Sequence, residues 1–433
     1  MKPSLRAALD PLGPWSPLNP QHPLNPFSAL VRPRRPPGPV PRHGHASLLF
    51  RFYGARRSRF RVPAPNMEWW WHTIEIGDDE APAVSIITNV HLFAVPLLGW
   101  VTQGTVAVRD LASNRALEAH ATGNVSADEG ARFTADGLHL GFEDPDTYRI
   151  EAQAREFLLD LRVRHGPVAL LGEPPRPSGW YDLNPAGSIP IWASYRSRSA
   201  VSIEGVVEAF GVRRAIRAGT ARMDHQSLHF SPGADVKSLS PLVLAEAPLI
   251  RPRWLWYHAR LRNGPVAPPL NVMVCEVNNG HTGRCMLRAA AVSDDAGNVA
   301  PADPRTIRFV RRDGTRPSHT PRRRRSSGTR PERRSLERNG ILGAPAAMDV
   351  DFTIARDDCP ASIPWGRYTL ALDHGKGNDW TVTYPIVGAL RYRAHEVPVR
   401  ARGAVVSPNG THALTGTGTQ EALDMLASVT LRR

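Results

Sequence analysis

Apolar residues recur along this chain in short runs, many with every second position apolar. They cover Trp69–Ile76, Ala83–Val90, Gly104–Val108, Phe157–Val163, Val201–Val207, Trp254–Leu261 and Asn271–Val277. Turn-forming clusters separate several of them, among them Gly77-Asp78-Asp79, Asn263-Gly264-Pro265 and Asn278-Asn279-Gly280. No stretch carries a sustained 3.6-residue apolar period with helix caps. Short runs at period two, punctuated by Gly, Asn and Asp, predict an all-β chain of sandwich or barrel type rather than alternating strands and helices.

The runs also repeat. Trp70-Trp71-His72 matches Trp256-Tyr257-His258 at an offset of 186, and Val84–Thr88 matches Leu270–Val274 at the same offset. Tyr195-Arg196, Gly205 and Gly219-Thr220 match Tyr392-Arg393, Gly403 and Gly416-Thr417 at offsets of 197 or 198. One longer loop in the second half accounts for the slippage. A nearly constant offset, in order, predicts a duplicated β module of a size to close as a barrel around an apolar ligand. The predicted organisation is a lead of residues 1–62, one domain over 63–222 and a second over 223–433, the latter carrying an Arg-rich insertion at 311–340.

Composition changes the picture in one respect. With 41% hydrophobic and 22% charged residues the chain is globular, while its net charge of +14 invites a nucleic-acid reading. That charge is localised. Residues 1–62, dense in Pro and Arg, and residues 305–338, containing Arg322-Arg323-Arg324-Arg325, each carry +10, which leaves −6 for the rest. Both basic segments read as disordered, and the foldable part is not expected to bind nucleic acid.

Three cysteines without metal or disulfide spacing suit a reducing compartment, and no apolar run reaches the roughly 18–20 residues of a membrane-spanning helix. A cytoplasmic protein is expected. The Arg-rich leader also fits a transit peptide, and an apolar substrate also fits peripheral membrane contact.

Three constellations can carry chemistry. In Glu68-Trp69-Trp70-Trp71-His72 a strand sets Glu68, Trp70 and His72 on one face and Trp69 and Trp71 on the other. Three adjacent indoles cannot all meet water, so Glu68 is either a hydrogen-bonded structural carboxylate or an acid of raised pKa. Asp224-His225 is either a solvated, loop-capping pair or, inside a Trp-lined cavity, an acid with its partner. Trp254, Trp256 and His258 share a strand face that is either core or the wall of a cavity whose indoles face a cation. The chain has no GxSxG elbow, no phosphate-binding GxxxxGK[ST] loop, no HExxH and no dinucleotide fingerprint. Neither a metal nor a redox cofactor is expected.

These blocks together resemble the carotenoid 1,2-hydratase family, whose members have two lipocalin-like domains. The resemblance rests on Glu68-Trp69-Trp70, on Trp192–Ser197 followed by Val201–Gly205, and on Gly219–Gln226. It continues through Trp254–Tyr257 with Asn263-Gly264 and Gly416–Glu421. Ser227-Leu228 and Thr419 depart from that family's usual Trp-Gly and aromatic residue.

The resemblance implies a cofactor-free hydratase or lyase acting on an unsaturated isoprenoid or polyketide. Asp224, His225 and Glu68 are then the catalytic candidates, and Trp70, His72, Asn89, Tyr195, Trp254 and Trp256 the substrate contacts. A related Diels–Alder-type cyclase and a non-catalytic binder of an apolar ligand are the alternatives.

Overall fold

The computed structural model describes residues 67–77, 82–95, 99–124, 132–135, 137–144, 147–164, 168–171, 180–182, 192–229, 252–264, 267–279, 285–296, 298–312, 347–357, 359–374, 380–385, 390–424 and 430–431. The lead 1–62 and nearly all of the Arg-rich insertion lie outside them.

The first module contains β1 (Met67–Gly77), β2 (Pro82–Val95), β3 (Gly99–Asp110), β4 (Ala116–Asn124), β5 (Arg132–Ala135), β6 (Leu138–Asp144), β7 (Thr147–Ala154), β8 (Phe157–Arg164), β9 (Val168–Leu171), β10 (Trp180–Asp182), β11 (Trp192–Ala209) and β12 (Val212–His229). The second contains β13 (Pro252–Arg262), β14 (Leu270–Asn279), β15 (Cys285–Asp294), β16 (Val299–Pro301), β17 (Arg308–Arg311), β18 (Ala347–Ile354), β19 (Gly366–His374), β20 (Trp380–Pro385), β21 (Leu390–Ser407), β22 (Gly410–Asp424) and β23 (Thr430–Leu431). Among the described residues the only helical element is a single 3-10 turn at Pro304–Thr306, and no helix is long and apolar enough to cross a membrane.

Each module is one antiparallel sheet. The first runs β4-β3-β2-β1-β12-β11-β8-β7-β6-β5, with β9 and β10 added to β11. The second runs β16-β15-β14-β13-β22-β21-β19-β18-β17, with β20 and β23 added to β21. The orders correspond strand for strand, β1 to β13, β12 to β22 and β11 to β21, as a duplication requires. Contacts of β5 with β4 and β3 roll the first sheet toward a barrel, which removes exposed edges. The boundary drawn from sequence at 222/223 falls inside β12, all of whose described pairing is with β1 and β11, so the first module runs to His229.

Alternation drives the rolling. β8 and β18 bury every second residue, and those residues form the two barrel interiors. Trp70, Ile74, Ile86, Leu161 and Ile203 fill the first; Tyr257, Leu261, Val350 and Phe352 are among those filling the second. Local geometry explains part of the repeat. A Cβ on Gly205 would collide with the Asp160 carbonyl, and one on Gly403 with the Thr369 carbonyl, so both copies keep glycine where neighbouring backbones close in. The β11–β12 hairpin turns at Phe210 and Gly211, both left-handed at φ 56° and 77°, which matches the right-handed strand twist.

A third apolar cluster belongs to neither interior. Tyr181, Ala193 and Tyr195 of the first module pack with Trp254, Trp256, Met273, Cys275, Val277 and Leu287 of the second. Strand contacts reinforce this interface: β9 and β10 touch β15, while β20 touches β3 and β4.

Candidate active site

The interface is built from the outer faces of the central strands. In the first sheet, register aligns Asn89, Trp71, Asp224 and Ser197 across β2, β1, β12 and β11. In the second, it aligns Cys275, Trp256 and Glu421 across β14, β13 and β22. Directly paired residues share a sheet face, so each row presents its side chains together. The two rows occupy equivalent places in the duplicated modules: Trp71 and Trp256 lie on the first strand of each, and Asp224 and Glu421 pair with them.

The rows meet. Tyr195 and Trp256 place their rings 5.2 Å apart across the interface. Arg222 donates from Nη1 to Thr419 Oγ1 at 2.7 Å, joining β12 to β22.

Asp224 is 6% exposed. Burial pushes its carboxyl up to about 7, while the hydroxyls of Ser197 and Tyr195 and the positive charge of Arg222 pull the other way. Glu421 is raised as well, first by burial and then by repulsion from Asp224. Burial and the same two carboxyls raise the Cys275 thiol and the Tyr195 phenol. A buried carboxyl beside a second one whose charge it disfavours leaves the pair a proton near neutral pH, as acid–base chemistry requires.

The neighbouring His258 has no solvent exposure, and burial, with Arg222 and Arg260 nearby, holds it neutral. Arg260 is itself paired with Asp295 through bonds of 3.0 and 2.8 Å.

The residues expected from sequence fall into three groups. Asp224, Tyr195, Trp254 and Trp256 come together at the interface, with Asn89 buried on the same sheet face beside Trp71. Trp70 and His72 lie on the opposite face, inside the first barrel. There the Tyr148 hydroxyl meets His72 Nε2, and Thr88 Oγ1 lies 3.0 Å from Nδ1. The expectation that they face the same centre as Asp224 is therefore corrected: adjacent strand positions point oppositely, and it is Trp69 and Trp71 that share Asp224's side. Glu68 and His225 are placed in β1 and β12, but their side chains lie outside the described residues.

The repeat alignment needs the same correction. Matching Trp70-Trp71-His72 to Trp256-Tyr257-His258 pairs interior residues with interface residues; structurally Trp71 answers Trp256. Glu421, Cys275, Ser197 and Tyr181 were not singled out from sequence. For Glu421 a signal existed, because the 197-residue offset that relates Gly219-Thr220 to Gly416-Thr417 also sets Asp224 over Glu421.

Comparison with known proteins places this architecture. No protein-family model matches the sequence, and no curated protein matches it. Solved structures do. An AttH-type protein of Nitrosomonas europaea superposes with a TM-score of 0.52 at 16% identity, covering 89% of this chain and 98% of its own. Kievitone hydratase of Nectria haematococca superposes at 0.50 with 12% identity, covering 91% and 99%. CghA, solved with Sch210972, superposes at 0.48 with 11% identity, covering 91% and 96%. The fold is tandem lipocalin-like. At these identities the likeness shows the fold alone.

Proposed function

We propose that the chain is a cofactor-independent hydratase- or lyase-type enzyme acting on a hydrophobic, unsaturated isoprenoid or polyketide at the interface between its two modules. The observation that carries this reading is the Asp224 site: a carboxyl group withheld from water, still able to hold a proton near pH 7, among Tyr195, Trp254 and Trp256. The sequence resemblance to carotenoid 1,2-hydratases supports the same reaction class, as does the name of a structural neighbour that hydrates kievitone.

A carboxylic acid of this site protonates one carbon of a C=C bond, and the more substituted carbon becomes cationic. The aromatic faces stabilise that cation by on the order of 0.5–2 kcal/mol per contact. Water then bonds to it and surrenders a proton to a carboxylate, so H and OH are added overall and the enzyme is restored. In a dry site the fixed charges and dipoles supply most of the rate enhancement.

The test is to incubate the purified full chain with lycopene-type polyenes and prenylated aromatics and to follow product mass, comparing wild type with Asp224→Asn. A product heavier by one water, lost in the variant, is expected. Equal turnover by both proteins removes Asp224 from the chemistry. A product of unchanged mass replaces hydration with cyclisation, and ligand retained without conversion reduces the protein to a binder.

A further inference from the structure

We infer that Glu421 is the second half of a one-proton carboxyl pair: it donates the proton to the substrate, and Asp224 takes the proton released by water. The inference rests on the proposed hydration and divides its two proton transfers between the modules.

The argument begins with placement. Asp224 on β12 and Glu421 on β22 occupy corresponding strands of the duplicated sheets, each directly paired with the interface tryptophan of its own module. The interface brings the two strands together here: Arg222 and Thr419, each two residues before one of the carboxyls, are bonded at 2.7 Å, and the rings of Tyr195 and Trp256 lie 5.2 Å apart, with Cys275 and Tyr195 feeling both carboxyls.

The surroundings of the two groups differ. Backbone register sets Ser197 of β11 directly beside Asp224, and the Tyr195 hydroxyl and, on its own strand, Arg222 favour its ionised form. Glu421 is raised by burial and by Asp224, and Arg222 reaches its strand at Thr419, two residues away. Among the described residues around the pair, Tyr181 on β10, Cys275 on β14 and His258 on β13 are uncharged near neutral pH, while Glu75 of β1 lies 3.8 Å from Arg222 and Arg260 of β13 lies near His258. Backbone register also sets Glu396 of β21 opposite Glu421. A nearby carboxylate disfavours ionisation of its partner, so a single proton on this pair resides on Glu421.

The step balances. The Glu421 O–H bond breaks as a C–H bond forms, leaving a carboxylate and a carbocation. Water forms the C–O bond and its proton passes to Asp224. Transfer of that proton from Asp224 to Glu421 restores the resting pair. No oxidant or further reactant is involved.

The pair can be tested without a substrate. Infrared difference titration of the full chain reads the carboxylic-acid C=O band against pH in wild type, Glu421→Gln and Asp224→Asn. In wild type one buried carboxylic acid is expected near neutral pH. Glu421→Gln should move that titration at least about one pH unit lower, because coupled carboxyls shift each other by that much. Asp224→Asn should lower the midpoint of the remaining Glu421 band similarly. Unchanged midpoints in both variants overturn the pair, and the second variant decides if the first does not fold.

With a converted alkene, the pair also requires a bell-shaped pH–rate profile, since turnover needs one carboxyl protonated and the other ionised. A plateau on the acid side, with wild-type turnover in Glu421→Gln, overturns the division of roles while leaving hydration by Asp224 standing. Intact infrared shifts with no turnover on any alkene fail the hydration reading instead.

Discussion

Burying an acid has a thermodynamic consequence that needs no substrate to observe. The Asp224 carboxyl titrates near the ordinary carboxylate value of 3.8 when the chain is unfolded and near 7 when folded. Between those values the folded state holds a proton that the unfolded state has released, so stability falls as pH rises, and the full cost is present above about pH 7. Each pH unit in that window is worth about 1.4 kcal/mol. From pH 5 to pH 8.5 wild type therefore loses about 2.5 kcal/mol through this group relative to Asp224→Asn, whose amide does not titrate.

Removing the Asp224 charge also relieves Glu421, which adds to the difference in the same direction. His258 contributes with the opposite sign. Its folded pKa is depressed, so its contribution is present above its unfolded pKa of 6.5 and is lost as pH falls below that value. Both proteins carry His258, and it cancels from the comparison. For modules of this size the Asn variant should gain roughly 5–10 °C in melting temperature on wild type between the two pH values. Calorimetry at pH 5, 7 and 8.5 reads it. Parallel melting curves would refute a desolvated Asp224 and remove the physical basis of the proposed chemistry.

Other positions give sharp expectations. Trp256→Ala empties a buried site against Tyr195 and should cost about 3–5 kcal/mol by denaturant titration. Gly205→Ala forces a Cβ into the Asp160 carbonyl at φ +144° and should cost more than Gly211→Ala, where nothing lies within 4 Å and the left-handed conformation alone costs about 1 kcal/mol. Tyr148→Phe removes the hydroxyl that meets His72 inside the first barrel. It should lower stability by about 1–2 kcal/mol while leaving the titration of the interface carboxyls unchanged, because that pair faces the other way.

Much of the architecture was legible because barrel interiors impose alternation. Strands such as β8 and β18 announce their buried faces, and glycines at tight backbone crossings recur at fixed spacing in both modules. Legibility failed where alternation itself vanishes. β1 and β13 are covered on both faces, by a barrel interior on one side and the partner module on the other. Their apolar residues therefore run continuously and carry no phase.

The indoles of Trp69, Trp70 and Trp71 are the extreme case, since shifting such a run by one residue leaves its pattern almost unchanged. The two histidines match one position out of structural phase, since His72 meets Tyr148 inside a barrel and His258 lies at the interface opposite Thr419. Asp224 is visible as a candidate, but its surroundings are not, because they arrive from separate strands: Tyr195 from before it, Trp256 and Cys275 from 32 and 51 residues after it, and Glu421 from 197 residues after it.

Because corresponding positions of the two modules confront each other, the molecule has the logic of a symmetric dimer joined into one polypeptide. A true homodimer would be bound to place identical acids at its axis. Fusion releases that constraint: one side here carries Asp in register with Ser197, and the other carries Glu in register with Glu396. Inequality between the halves gives the centre a direction, and neither half alone could possess one.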